Sequence, residues 1–184
     1  MKIEETINVH RSVDAVWALF QDVSELARCL PGAELTEDKG DGVYAGKVVA
    51  KLGPMTATFE GEATVTMDDA TRIGEVKGKG TDRAGGSVGQ VNMKYTITSA
   101  EGGGSTVAVD ADVVLSGAAA QFGRTGLIKE MSRRLIREFV ACVEAKLAAQ
   151  TAEEASAVRA GEVKGIRLFF ASLWAWFKGL FTRG

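Results

Sequence analysis

From residue 33 to residue 115 the chain repeats one unit: a run of alternating apolar and polar side chains, then a turn rich in glycine or aspartate. The clearest runs put Val91, Met93, Tyr95 and Ile97 on one face, and Val107, Val109, Ala111 and Val113 on one face of the next. Period two is the mark of a strand with one wet and one dry side. The pattern predicts strands at Ala33–Glu37, Gly42–Lys51, Ala57–Met67, Thr71–Gly80, Ser87–Ser99 and Ser105–Leu115. Lys39-Gly40-Asp41-Gly42, Met67-Asp68-Asp69, Arg83-Ala84-Gly85-Gly86 and Glu101-Gly102-Gly103-Gly104 supply hairpin turns. Ile3, Ile7 and Val9 alternate in the same way at the start of the chain, which makes about seven antiparallel strands.

A sheet with one apolar face needs a cover. Ser12 stands as an N-cap with Asp14 in the first turn, and Val13, Val16, Trp17 and Phe20 follow at helical spacing. A short second helix is expected over Ser24–Leu30, stopped by Pro31-Gly32. The long cover is a helix from about Ala119 to Gln150. Ile128, Met131, Leu135, Phe139, Cys142 and Val143 share one arc of it, while Glu130, Arg133, Arg134, Arg137 and Glu144 point away. Glu130 stands four residues before Arg134 as an expected surface pair. The fold class is therefore α+β, with the long helix across the concave side of a curved sheet.

Composition narrows function. The net charge of −2 gives no global basic field for nucleic acid. The average conceals a change of logic at the C-terminus. Residues 1–150 hold 17 Lys and Arg against 21 Asp and Glu, whereas Val163 to Gly184 hold four basic residues and no acids. Six of the thirteen aromatic residues lie between Phe169 and Phe181. Cys29 and Cys142 are far apart, with no Cys/His cluster near either, and are read as reduced thiols in a reducing compartment. No secretory signal is expected at the N-terminus, and no run reaches the ~18 apolar residues of a spanning helix.

No catalytic constellation can be assembled. His10, the only histidine, would need an orienting carboxylate and a substrate in reach to act as a base, and is read as a surface or strand-end residue. Cys29 lacks an activating base and reads as a buried structural thiol. Metal ligands at any usual spacing are missing, and Gly78-Lys79-Gly80 and Gly85-Gly86-Ser87-Val88-Gly89 match no nucleotide-binding motif. Those glycines are read as turns and bulges, or as a lip at a cavity mouth.

The order strand, two small helices, β-meander, long helix resembles the helix-grip superfamily of START domains, polyketide cyclases and plant allergens (SRPBCC). The opening Val9-His10-Arg11-Ser12-Val13-Asp14-Ala15-Val16-Trp17-Ala18-Leu19-Phe20-Gln21-Asp22 looks like that superfamily's usual start. Cys29-Leu30-Pro31-Gly32-Ala33 and Ser116-Gly117-Ala118-Ala119-Ala120-Gln121-Phe122-Gly123-Arg124 are similar to the CoxG-like family of carbon monoxide dehydrogenase proteins, which accompanies molybdenum hydroxylases without supplying their catalytic chain. The resemblance covers roughly residues 1–147, as a helix-grip domain. It leaves 148–165 as a flexible linker and 166–184 as an amphipathic tail.

The resemblance implies a pocket between sheet and helix, where aliphatic walls with few polar anchors suit a long apolar guest. The expected lining is Phe59, Val91, Met93, Tyr95, Val109, Ala111, Val113, Gln121, Phe122, Leu127, Met131 and Leu135, the same residues that a solid core would use. Tyr95, Thr96 or Gln121 would offer the polar anchor for a quinone carbonyl. In the tail, Ile166, Phe169, Phe170, Leu173, Phe177, Leu180 and Phe181 share one helical face, with Trp174 and Trp176 at its edges and Arg167 and Lys178 beside it. That is the pattern of an interfacial helix, with docking onto a protein or self-packing as alternatives. Taken together, the expectation is a non-catalytic carrier without a covalent cofactor. It would hold a respiratory quinone, menaquinone or ubiquinone, and serve a carbon monoxide dehydrogenase-type molybdenum hydroxylase. It would be cytoplasmic and peripheral on the inner face of the cell membrane. A recruitment module without ligand and a polyketide cyclase or aromatase are the rivals. Deleting residues 162–184 is expected to abolish co-sedimentation with anionic lipid vesicles while the remaining domain keeps its thermal transition.

Overall fold

In the computed structural model the described residues are 1–52, 55–124, 127–149 and 152–160, with the side chains of 52, 55, 122–124, 127–131 and 152 outside the description. Seven strands form one antiparallel sheet: β1 (Lys2–Val9), β2 (Ala33–Gly40), β3 (Val43–Leu52), β4 (Met55–Asp68), β5 (Ile73–Asp82), β6 (Ser87–Ser99) and β7 (Ser105–Ser116). Their order is β1-β7-β6-β5-β4-β3-β2. Because β1 pairs with β7, from Lys2↔Asp112 to Val9↔Ser105, the connection from β1 to β2 must cross the whole sheet. The helices α1 (Val13–Gln21) and α2 (Val23–Ala27) make that crossing.

Local chemistry sets these elements. The Ser12 side chain accepts a hydrogen bond from the Ala15 amide and caps α1, and Asp22 accepts one from the Glu25 amide to start α2. The indole Nε1 of Trp17 and the side-chain amide of Gln21 both donate to Asp69 Oδ1 at 2.7 Å, tying α1 to the β4–β5 hairpin. The Arg72 guanidinium lies 5.5 Å from the centre of the Trp17 ring and pairs with Asp14 at 2.9 Å.

The long helix is shorter than its sequence pattern suggests. Gly117–Arg124 winds as a 3-10 segment, and α3 runs Leu127–Ala148. Gly117 has φ +70°, and a Cβ there would stand 2.0 Å from the Gly86 carbonyl oxygen. Ser87 Oγ accepts the Ala119 amide. This segment is held to the start of β6, so an α-helix cannot begin at Ala119. The face of α3 is also turned from the expected arc. Ile136, Phe139, Val140, Cys142, Val143 and Leu147 pack into the core, whereas Leu135 is 41% exposed. Arg134 pairs forward with Glu138 at 2.8 Å, and the expected partner Glu130 has its side chain outside the described residues.

Ile7 and Val9 of β1, Val16, Trp17 and Phe20 of α1, Tyr95 and Ile97 of β6, Val107 of β7 and Val143 of α3 form one buried cluster at one end of the concave face. Phe20 meets the Tyr95 and Phe139 rings edge-on at 5.1 and 6.2 Å. A smaller cluster, Ala57 and Ala119 with Ala50, Phe59 and Leu115, lies at the opposite end.

The cysteines are not reduced thiols. Cys29 and Cys142 are buried and joined as a disulfide, their Cα atoms 5.4 Å apart across 113 residues of sequence. The fold creates the proximity: Cys29 follows α2, and α2 lies against the C-terminal half of α3. No spacing rule reveals a pair made by tertiary packing.

The expected flexible linker is likewise ordered in part. Residues Ala152–Ala157 form α4, which packs on α3. Lys146, its side chain 1% exposed, donates to Glu25 Oε2 at 2.6 Å and to the Ala155 carbonyl at 2.8 Å. Glu25 also receives Arg28, whose guanidinium donates to the Ser156 carbonyl, and the Ala160 amide donates to the Arg28 carbonyl at 3.0 Å. Val158 packs against the buried cluster. Residues 152–160 are thus a strap clamped over α2 and α3.

Closing a loop of this length withdraws about 4–5 kcal/mol of chain entropy from the unfolded state. Reduction, or the double change Cys29→Ser and Cys142→Ser, is therefore expected to lower Tm by roughly 10 °C or more. Melting with and without reductant, beside a thiol count in denaturant, checks it.

Candidate functional site

Every second residue of each strand faces the concave side, and register decides which of them meet. The predicted lining residues Phe59 on β4, Val91, Met93 and Tyr95 on β6, and Val109, Ala111 and Val113 on β7 all lie on that face. Val91 pairs with Val113, Met93 with Ala111 and Tyr95 with Val109. They do not share one environment. Tyr95 and Ala111 are buried, and Met93 and Val109 pack against the solid cluster. Val91, Val113 and Phe59 are only half-buried. Gln121 is exposed on the 3-10 segment and Leu135 is exposed on α3. The side chains of Phe122, Leu127 and Met131 lie outside the described residues, as do tail residues Ile166, Phe169, Phe170, Leu173, Trp174, Trp176, Phe177, Leu180 and Phe181.

The concave face therefore has two halves. Under α1 and the C-terminal half of α3 it is filled. Toward β2, β3 and β4 it carries Leu35, Tyr44, Ala63 and Val65, all only half-buried, and Val48, 46% exposed. A row of glycines crosses this second half. Gly46 pairs with Gly61, Gly61 with Gly80 and Gly80 with Gly89, in register over four adjacent strands, a span of ~14 Å at the usual strand spacing. A Cβ at Gly61 would stand 1.9 Å from the Lys79 carbonyl oxygen, so strands β4 and β5 approach more closely there than any side chain allows. The Phe59 ring lies along the crease, near Gly80 and Gly89. Gly78, Gly80 and Gly89, expected as turns or bulges, are thus strand residues whose missing side chains shape the concave floor.

Among the described residues, one buried side-chain polar atom has no partner. The Tyr95 hydroxyl lies in this interior and makes no hydrogen bond there. Its ring packs against Trp17 and Phe20, and its tip reaches Gly74, where a Cβ would lie 2.2 Å from the hydroxyl oxygen. An unpaired buried hydroxyl costs about 1–3 kcal/mol, which a ligand acceptor would relieve. Burial also pushes this phenol up to about 12 from its ordinary value of 10.0.

His10 does have a carboxylate neighbour: Nδ1 lies 3.0 Å from Glu144 Oε1. The imidazole is nevertheless 90% exposed, outside the concave face. The convex face carries solvated ion pairs, Lys2 with Glu4 and Asp110, Lys39 with Glu62, and Lys47 with Glu34, each worth little to stability. A depression of about 300 Å³ on that side is lined by Glu4, Glu5, Thr6, Lys94, Thr96, Ala108, Val109 and Asp110. It is open, six of its eight lining residues are polar or charged, and Thr96 faces it in place of the concave interior. Sequence reasoning missed the glycine row, because four separate Gly residues align only through register. It missed the Glu25–Lys146 clamp, because a lysine on a helix reads as surface.

The sequence profile of CoxG, the carbon monoxide dehydrogenase G-type chain, matches residues 6–148. Among curated proteins none matches. Of solved structures, a conserved protein from Geobacillus kaustophilus superposes with a TM-score of 0.69 at 16% identity, covering 80% of this chain and 95% of that one. The Zhui aromatase/cyclase from a Streptomyces species gives 0.56 at 16% identity, covering 81% and 96%. A protein from Chromobacterium violaceum gives 0.54 at 14% identity, covering 78% and 97%. At these identities the likeness concerns the fold, which is the helix-grip fold of this superfamily.

The solid end generates its own pH dependence. Folding raises the Tyr95 pKa, so the stability it contributes is complete below pH 10 and is lost as pH climbs toward 12. Denaturant midpoints measured from pH 8 to about 12 are expected to fall over the upper part of that range, and Tyr95→Phe to flatten the fall.

Proposed function

The chain belongs to the CoxG family of carbon monoxide dehydrogenase proteins, and from that premise we propose that it is a non-catalytic carrier whose half-open concave face holds a respiratory quinone, menaquinone or ubiquinone. The carrier passes the quinone between the membrane and a carbon monoxide dehydrogenase-type molybdenum hydroxylase. It works at the lipid surface on the inner face of the cell membrane, held there by the segment from Ile166 to Phe181. The observation that carries the reading is the row of apolar side chains on the second half of the concave face that stay partly exposed among the described residues. Val48, Val91, Val113 and Ala63 keep apolar surface that a solid core would have buried. Burying that surface against a prenyl chain is favourable by ~25 cal/mol per Å².

The Tyr95 hydroxyl, buried in the filled half, supports a quinone whose head group enters that half from the open one. It is a lone donor in an aromatic setting, and a quinone carbonyl is a lone acceptor on a flat ring. Passive carriage needs no acid–base machinery, which suits a histidine directed to solvent. In this reading the family supplies the partner and the concave face supplies the cargo.

Organic extraction of full-length protein purified from a quinone-containing host, followed by mass spectrometry, is the test. Wild type is expected to release a quinone. Ala63→Trp, which fills the open half away from the solid cluster, should release none while keeping its Tm and its vesicle binding. Tyr95→Phe should weaken quinone uptake three- to ten-fold. Wild-type protein that carries no quinone and takes none from liposomes would leave a recruitment module in place of a carrier.

A further inference from the structure

The strap fixes where the chain leaves the domain. The Ala160 amide is bonded to the Arg28 carbonyl, and Val158 is packed in the core. Leu30 is two residues beyond Arg28, so its Cα lies at most ~7.6 Å from that of Arg28. Leu30 heads a tight turn, Leu30–Ala33, closed by the Ala33 amide on the Leu30 carbonyl. The same turn is stapled to the edge of β3, where the Val49 amide donates to the Gly32 carbonyl at 2.8 Å. Six large apolar residues are exposed among the described residues, and three of them gather round this contact: Leu30 at 48%, Val48 at 46% and Val49 at 36%. Pro31 follows Leu30 in that turn, and the exposed Lys51 and Arg159 stand two residues beyond Val49 and one before Ala160.

We propose that this rim, Leu30, Pro31, Val48 and Val49, is a second lipid-contacting surface, and that it seats the domain on the bilayer with the open half of the concave face toward the lipid. The proposal rests on the reading of 166–184 as an interfacial segment. Only residues 161–165 separate the clamped strap from Ile166, a reach of ~20 Å at full extension. A rim beside Arg28 is therefore held near any surface that the tail enters, at high effective concentration. Its apolar side chains and flanking cations match an anionic lipid interface. Val48 faces the concave side and Val49 the convex side, so immersing this edge brings the mouth of the open half to the headgroups.

Full-length protein with its disulfide intact is labelled with an environment-sensitive fluorophore at Val49→Cys, at Phe177→Cys in the tail, or at Thr98→Cys on the far side of the sheet. Each is added to phosphatidylcholine–phosphatidylglycerol vesicles with or without nitroxide-bearing lipids. The expected result is a blue shift and nitroxide quenching at both Val49→Cys and Phe177→Cys, and none at Thr98→Cys. Quenching in the tail without quenching at Val49→Cys overturns the rim and spares the tail. Silence at both positions overturns both. As a second measurement, Leu30→Asp with Val49→Asp is expected to weaken vesicle binding roughly ten-fold at unchanged Tm. Unchanged vesicle affinity overturns the proposal.

Discussion

The packing of α1 and the C-terminal half of α3 onto one end of the sheet governs the rest of this molecule. Ile136, Phe139, Val140, Val143 and Leu147 meet Trp17, Phe20, Tyr95, Ile97 and Val107 there, and the seven strands gain their one continuous dry core. Hydrophobic burial is non-directional, but close-packed rings are not. The edge-on contacts of Phe20 with Tyr95 and Phe139 set how α1 sits against α3. That contact in turn brings α2 beside α3, which allows the Cys29–Cys142 bond and the Glu25–Lys146 pair. A buried lysine without its carboxylate would carry an uncompensated charge, so the clamp is strong evidence that α2, α3 and the strap act as one body.

A consequence of concentrating the core at one end is that the other end is left thin. There the glycine row Gly46–Gly61–Gly80–Gly89 removes four side chains from the concave floor and lets the strands crowd and bend. Phe59 covers part of the crease, and the aliphatic residues around it remain half-exposed. One face thus holds a filled half and a partly exposed half. The orphan hydroxyl of Tyr95 belongs to the filled half, where a polar atom without a partner is costly.

The strap gives the tail a defined root. The turn Leu30–Ala33 is stapled to the edge of β3 at Val49. Hydrogen bonds among Arg28, Ser156, Ala155, Lys146 and Ala160 hold the strap, and with it the last described residue, beside that edge.

What the sequence determined alone was periodic and local: seven strands, the hairpin turns, the cap at Ser12, a long amphipathic cover, and the aromatic tail with its cations. These follow from spacing, because period two and period 3.6 are properties of consecutive residues. The concave-face membership of Phe59, Val91, Met93, Tyr95, Val109, Ala111 and Val113 was legible for the same reason. Which of them are filled over and which stay half-open was not, since that depends on where α1 and α3 come to rest. Leu135 read as core and is exposed because a helix's buried arc is chosen by its neighbours. The disulfide, the clamped strap and the glycine row were decided only in the folded chain. Each joins residues distant in sequence, and long-range proximity is set by register and packing, which local patterns do not encode.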